Sequence, residues 1–343
     1  MEVLMKICWY LIGLSALPAL LASCAPLPEL IEPFAGDVHP PVLLGVQAAA
    51  SREVRIQFDE TARVRDGEIT VDPPRALVSG TTEETTVVLT FNEDLEPGTL
   101  FWIDGAVADQ QGNITSFLVN VYGRNERPPS LVVNEFVCEG STTHPDVVEL
   151  RVLSAGNLAG LSLLDGSPGT YDDAIVLPAL EVAVDDYILV HFKPQNIVTE
   201  VNETVSKTQS GGLDSSESAW DFWVEGGDGI PNTTGAITIS EFPGGPILDA
   251  VLYSTKTYDP ESENRGYGLA SQLAQAEELV TLGAWVVEGG FVVPSDGVNP
   301  TDSTATRSIC RSSDSVDTNH RDDWHIVPTG TSTLGEPNSD LRY

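Results

Sequence analysis

Glu53-Val54-Arg55-Ile56-Gln57-Phe58 is the stretch whose reading decides the fold class. Val54, Ile56 and Phe58 fall on one side and Glu53, Arg55 and Gln57 on the other, the period of two that a half-buried strand requires. Outward from it, Thr86-Val87-Val88-Leu89-Thr90-Phe91 reads as a more deeply buried strand. Leu100-Phe101-Trp102-Ile103 follows a Pro-Gly turn at Glu96-Pro97-Gly98-Thr99. Asp109-Gln110-Gln111-Gly112-Asn113 then turns the chain into Phe117-Leu118-Val119-Asn120-Val121. Short strands with turns at this spacing predict a small β-sandwich over residues 38–124. Val, Ile, Thr, Gly and Pro are plentiful along the whole chain and long helical patterns are few, so the expected class is all-β.

The order of the Val54-to-Glu60 strand, the Leu95-to-Thr99 turn, the aromatic strand and Asp109-to-Asn113 resembles the bacterial immunoglobulin-like domain. Such modules are spacers or adhesion units of exported proteins, and the resemblance brings no catalytic site with it. A polar break follows at Gly123-Arg124-Asn125-Glu126-Arg127-Pro128-Pro129-Ser130, and its Pro-Pro pair stiffens the backbone. Residues 125–130 are read as a linker.

Beyond the linker come Leu131-Val132-Val133-Asn134-Glu135-Phe136-Val137, then Asp146 to Leu153, then Leu158 to Gly166. "Val-Asn-Glu-Phe", "Val-Glu-Leu" and "Leu-x-Gly-x-x-Leu-x-Asp-Gly" in this order resemble the lamin-tail domain, an immunoglobulin-type sandwich. Later pieces match the same family in sequence: Val184 to Val190, Gly235 to Ile239, Ile247 to Tyr253, Arg307 to Arg311, Asp323-Trp324 and Leu334 to Asn338. The resemblance implies a second β-sandwich in tandem with the first, over residues 131–343. Two insertions set it apart. One, about Lys193 to Gly229, is rich in Ser, Gly and Asp yet holds Trp220, Phe222 and Trp223. These aromatics read either as a flap packed over one sandwich edge or as an exposed binding patch. The other, about Tyr258 to Gly297, holds the one convincing helix, Gly268 to Leu279, with Leu269, Leu273 and Leu279 near helical spacing.

At the other end, Lys6 precedes an apolar run from Ile7 to Leu20, and Leu21-Ala22-Ser23-Cys24 follows it. A charged start, an apolar middle and small residues before a cut make a secretory signal over residues 1–23. The run falls short of the ~20 residues that span a bilayer and is broken by Pro18. Leu-Ala-Ser-Cys resembles the lipobox of bacterial lipoproteins, in which the cysteine is diacylglycerylated, becomes residue one and is acylated on its new amino group. The resemblance implies lipidation at Cys24 and a membrane partner reached through that anchor. It also implies the bacterial cell envelope, and the outer membrane in particular because Ala25 replaces the Asp that retains many such proteins at the inner one. Residues 24–37, with three prolines and two glutamates, form a lipidated tether.

Seventeen Lys and Arg against 51 Asp and Glu give a net charge of −34 and a pI near 4.1. Nucleic acid binding rests on cations that neutralise phosphates, so nucleic acid is excluded as a partner. The 41% hydrophobic content is enough for packed cores, which sets this acidity apart from that of a disordered chain. Of the four cysteines, Cys8 leaves with the signal and Cys24 takes the lipid. Cys138 and Cys310 remain as a disulfide pair of an exported protein or as two buried thiols, which read alike in sequence.

No His-Glu-x-x-His helix, Gly-x-Ser-x-Gly elbow or phosphate-binding glycine loop occurs. His320-Arg321-Asp322-Asp323-Trp324-His325 gathers two imidazoles and two carboxylates, but at no standard ligand spacing, and is read as a turn-forming loop. Asp172-Asp173, Asp185-Asp186 and the set Asp314, Asp317, Asp322 and Asp323 lack the EF-hand order. Glu135 and Glu149 lie inside strands, where carboxylates bond to backbone or to neighbouring side chains. No catalytic residue, metal or cofactor is assigned. The expected function is that of a non-catalytic envelope lipoprotein that displays β-sandwiches for protein or glycan binding or for a structural role. The alternatives are an accessory subunit that recruits an enzyme and a hydrolase with its site in the insertions.

Overall fold

A computed structural model of the chain describes residues 37–65 and 67–343. The first unit contains β1 (Leu43–Ala50), β2 (Glu53–Phe58), β3 (Arg63–Val64), β4 (Thr70–Asp72), β5 (Leu77–Glu83), β6 (Thr86–Phe91), β7 (Leu100–Ala108) and β8 (Ile114–Tyr122). One sheet has the order β1-β2-β6-β5, and the other is built on β7, which pairs with β3, β4 and β8. Val54, Ile56 and Phe58 of β2 are buried, as their alternation requires, and meet Phe101, Ile103 and Phe117 of the facing sheet. Trp102, between two buried neighbours, points outward and is 42% exposed.

The second unit runs through β9 (Leu131–Val137), β10 (Val147–Val152), β11 (Gly156–Asn157), β12 (Ser162–Ser167), β13 (Thr170–Val176), β14 (Glu181–Val182), β15 (Tyr187–His191) and β16 (Trp220–Trp223). It continues with β17 (Thr234–Ser240), β18 (Ile247–Ser254), the helix α1 (Ala270–Thr281), β19 (Ile309–Arg311) and β20 (Trp324–Ile326). A six-stranded sheet of order β16-β15-β10-β9-β19-β20 faces a four-stranded sheet of order β13-β12-β17-β18. Phe136, Leu150, Val190 and Phe222 from the larger sheet and Leu163, Ile237, Ile239 and Tyr253 from the smaller share one core. All described elements but α1 and two short 3₁₀ turns are strands, so the fold is all-β.

The helix covers the outer side of the four-stranded sheet. Ala276 and Leu279 are fully buried, while Leu269 caps the amino end and is 62% exposed, so the helix starts later than its leucine spacing predicts. Glu278 fastens α1 to the β12–β13 hairpin by accepting hydrogen bonds from Ser167 Oγ at 2.6 Å and Gly169 N at 3.0 Å. The two units touch where Gly98 and Gly160 pass back to back, both at positive φ. A Cβ on Gly98 would lie 2.4 Å from the Gly160 Cα, so neither position accepts a side chain.

The two sheets of the second unit are joined by a buried ion pair. Arg311, on β19 of one sheet, donates to both oxygens of Asp249, on β18 of the other, at 3.1 and 3.3 Å. Both side chains are 0% exposed. Arg311 also donates through Nε to the Val133 carbonyl at 2.8 Å, while Val133 N donates to Asp249 at 2.7 Å. Asp317 and Asp323 take up its remaining charge at 3.0 and 3.2 Å, and the guanidinium lies 4.6 Å from the centre of the Trp324 ring. Removing one partner of such a pair strands a buried charge. Arg311→Met should therefore destabilise the fold by about 3–5 kcal/mol in urea unfolding, and Arg311→Met with Asp249→Leu by clearly less. A single variant with unchanged stability would contradict this role.

Candidate functional site

The outer face of the six-stranded sheet carries an unusual density of buried polar groups. Glu135 and Glu149 sit side by side across the β9–β10 ladder, both 0% exposed. The segment from Ser332 to Asn338 lies over them. Glu135 accepts hydrogen bonds from Ser332 Oγ at 2.9 Å, Thr333 N at 3.0 Å and Thr333 Oγ1 at 2.7 Å. Glu149 accepts from Asn134 Nδ2 at 2.7 Å and Gly335 N at 2.6 Å. Burial first, and the Glu135 carboxylate second, push the Glu149 carboxyl well above its usual range. Asn338 completes the seal by donating to the carbonyls of Asn134 and Arg311 at 3.0 and 2.9 Å. These carboxylates clamp a covering segment and have no free face toward a substrate.

Trp220, Phe222 and Trp223 are not an exposed patch. They form β16, which adds in parallel to β15 at the sheet edge, with Phe222 0% and Trp223 7% exposed. Phe222 joins the core between the sheets, the Trp223 ring stacks on His191 at 3.9 Å, and Lys207 lies over Trp220. The first insertion thus supplies an edge strand. His191 pairs with Asp221 at 2.7 Å, and Glu203 accepts from Asp221 N at 2.9 Å, all three buried. Three aromatics within four residues, Trp220 and Phe222 of them in strand alternation about Asp221, were the available sign of a strand.

Cys138 and Cys310 are free and buried, so of the two readings open for the pair it is the two buried thiols that the structure has. Cys138 follows Phe136 on the core face, whereas Cys310 is paired opposite Glu135 on the outer face, with its sulfur 3.7 Å from His325 Nε2. Thiols on opposite faces of one sheet cannot bridge. Burial pushes the Cys138 thiol up to about 12 and raises that of Cys310 as well, so neither is a ready nucleophile. Cys24, the expected lipid site, lies outside the described residues, as do the signal and nearly all of the tether.

Among the described residues, one carboxylate trio has ligand atoms within 4.8 Å of one another: Asp37, Glu60 and Asp109. Asp109 already accepts from Asn113 N and Nδ2 at 2.8 and 2.7 Å. The His320–His325 loop does not converge on an ion. His320 accepts from Asp322 N at 3.3 Å at the start of a 3₁₀ turn, while His325 is buried and meets the Ser339 carbonyl at 2.8 Å.

A cleft of about 630 Å³ opens beside the edge strand β20. Lys256, Asn299, Arg321, Arg342 and Tyr343 are in its lining, with Asp302 and Asp322 as its acids. Arg307 rests on the Tyr343 ring at 4.2 Å, and Tyr343 N donates to the Ile326 carbonyl at 2.8 Å, which ties the chain end along β20. Among the described residues Arg63, Arg124, Lys193, Lys256, Arg307 and Arg342 have no carboxylate within salt-bridge distance, and of these Lys256 and Arg342 line the cleft, whereas its Arg321 lies 3.7 Å from Asp322. Lys256 and Arg342 are far apart in sequence, and no motif announced the cleft.

Asp165, on β12 of the four-stranded sheet, is a buried acid. It is 3% exposed, and its carboxyl is pushed up to about 8 by burial first and then by Asp172, Asp173, Asp228 and Asp146. In the unfolded chain it ionises near its ordinary 3.8, so between pH 4 and 8 the folded state holds the extra proton. Stability from this group is complete below pH 3.8 and falls as pH rises toward 8. Asp165→Asn should gain on the native chain by about 1 kcal/mol per pH unit across that window in urea unfolding. A gain that does not change with pH would refute the shift.

Comparison with known proteins places the second unit in a family. Residues 129–326, more than half the chain, match the model of the TP_1001 family, described as "protein second domain". A protein of Treponema pallidum (strain Nichols), titled "Uncharacterized protein", is 27% identical over 150 residues, 43% of this chain and 38% of that one. The chain therefore covers well under half the length of that relative. The crystal structure of the N-terminal part of the bacterial S-layer protein SbsC is 12% identical at a TM-score of 0.25, covering 38% of this chain and 35% of that one. By the extent of the match over its second unit, the chain belongs to the TP_1001 protein second-domain family.

Proposed function

We propose that this chain is a non-catalytic lipoprotein of the bacterial cell envelope. Acyl chains on Cys24 hold it at the outer membrane, and its two β-sandwiches are displayed there to bind a protein or a glycan or to serve a structural role. The observation that carries the reading is the sealing of Glu135 and Glu149, the arrangement nearest to a catalytic carboxylate pair, beneath Thr333 and Gly335. A general acid or nucleophile needs a face toward its substrate, and both carboxylates are 0% exposed. The lamin-tail-like order of strands in the second unit and the immunoglobulin-like order in the first favour display over catalysis.

The anchor follows from the sequence Leu21-Ala22-Ser23-Cys24 behind its apolar run. Each buried CH₂ of an acyl chain adds ~0.8 kcal/mol of membrane affinity, and stable anchoring takes more than one chain. A net charge of −34 is repelled by anionic lipid, so attachment rests on the acyl chains alone. Among the described residues no helix is long and apolar enough to cross a membrane.

Cys24→Ser, expressed in a bacterial host with acyl labelling, should lose the label and leave the membrane fraction. Its urea-unfolding profile should match that of the native chain. A Cys24→Ser protein that stays in the membrane fraction with unchanged label would defeat the proposal.

A further inference from the structure

We propose that the second sandwich binds a calcium ion where Asp165 of β12 faces Asp172 and Asp173 of β13. This goes beyond the envelope reading and stands or falls apart from it. Every other carboxylate buried among the described residues accepts hydrogen bonds. Asp146 accepts from Gly140 N and Ile230 N at 2.8 and 3.1 Å, Glu203 from Gln209 N at 2.9 Å and Asp221 from Ser216 N at 2.9 Å. Asp109, Glu135, Glu149 and Asp249 have the donors given above. Asp165 is 3% exposed and, among the described residues, has no donor. A buried carboxylate without a protein partner is one that an ion or an ordered water completes.

The surroundings of Asp165 decide for the ion. β12 and β13 pair Leu164 with Ala174 and Gly166 with Tyr171, so at a two-against-one bulge Asp165 stands opposite both Asp172 and Asp173. Asp165 also pairs with Ile237 and lies two residues from Leu163, both of the core between the sheets, so it takes the inner face. Asp173, two residues from the buried Ile175, is half-buried on that face. The charges that act on Asp165 are those of Asp172 and Asp173, then Asp228 and Asp146. Lys193, a cation that acts on Asp146, makes no ion pair with a described carboxylate. A water at the bulge would leave carboxylates facing one another, whereas a divalent cation cancels their repulsion. The Asp37, Glu60 and Asp109 trio is closer set, with ligand atoms within 4.8 Å, but its buried member Asp109 is already satisfied by Asn113. At the bulge the exposed Asp172 and half-buried Asp173 turn onto an ion that Asp165 fixes, and water completes a shell of ~6–8 oxygens. Ca²⁺ accepts such a flexible shell, while Mg²⁺ demands a tight octahedron.

The full chain in detergent, stripped of metal with EGTA, is titrated calorimetrically with CaCl₂, and its thermal unfolding is followed with and without the ion. Ca²⁺ should fill a saturable site with a Kd of about 10⁻⁴–10⁻³ M, the range of extracellular modules, and raise Tm. Asp165→Asn and Asp173→Asn should each weaken that site about tenfold and shrink the rise in Tm, whereas Glu60→Gln in the other acidic trio should change neither. Thermal unfolding in EGTA alone separates loss of the ion from loss of the fold, and the half-buried Asp173 gives the readout should Asp165→Asn fold poorly. MgCl₂ in place of CaCl₂ should bind about tenfold more weakly. The proposal is overturned if Ca²⁺ leaves Tm unchanged, if both Asp variants keep the native affinity, if Glu60→Gln abolishes the site, or if Mg²⁺ binds as tightly. Each of these outcomes leaves the lipid anchor at Cys24 untouched.

Discussion

The buried Arg311–Asp249 pair is the constraint on which the second sandwich depends. Taking both charges out of water costs several kcal/mol per ion, and only close geometry with further hydrogen bonds offsets it. That geometry is met by drawing on both sheets at once. Arg311 comes from β19, Asp249 from β18, and the Val133 peptide of β9 donates to one and accepts from the other. Burial raises the Asp249 carboxyl to about 7, and the charge of Arg311 acts against that rise. A one-residue slip of β18 against β9 or β19 would break every one of these contacts. The pair therefore sets the register of the two sheets as well as their separation.

A second set of polar contacts, on the far side of the same sheet, fixes the last stretch of the chain. Asn134 is the extra residue in β9 where the β9–β10 register shifts, and its side chain reaches Glu149, Asn338 and Ser315. Leu334 packs beside Val137, Val147, Tyr187 and Leu189, so apolar and polar contacts fasten the same segment. With that segment seated, Tyr343 is carried to the rim of the β20 cleft. The cleft therefore depends on the clamp, and the clamp on the bulge at Asn134.

Much of the framework was legible in the residues. Strand alternation at Glu53–Phe58 and the order of strand motifs from Leu131 onward announced two sandwiches, because burying one face of a sheet leaves a period of two in the sequence. Of the turn-forming loop read over His320–His325, Arg321–Asp323 is a 3₁₀ turn capped by His320, while Trp324 and His325 belong to strand β20. What escaped depended on which face a residue takes. Cys138 and Cys310 look equivalent on paper, and only the pairing of Cys310 with Glu135 shows that they lie on opposite sides. Trp220 to Trp223 lay in a Ser- and Gly-rich insertion, whose composition concealed a strand stabilised by tertiary burial. The cleft was invisible because Lys256, Asn299 and Arg342 are brought together only by the fold.

These contacts give one physical picture: Arg311, Asp249, Glu135 and Glu149 hold the two sheets and the covering segment of the second unit in place. Native-state hydrogen exchange at the Thr333 and Gly335 amides tests that picture most directly, since these N–H groups donate to Glu135 and Glu149. Protection equal to that of the β9 and β10 strand amides is expected, with exchange only through global unfolding. Exchange at the rate of an open surface loop would mean that the carboxylate pair is uncovered in solution and free for chemistry, which would contradict the account.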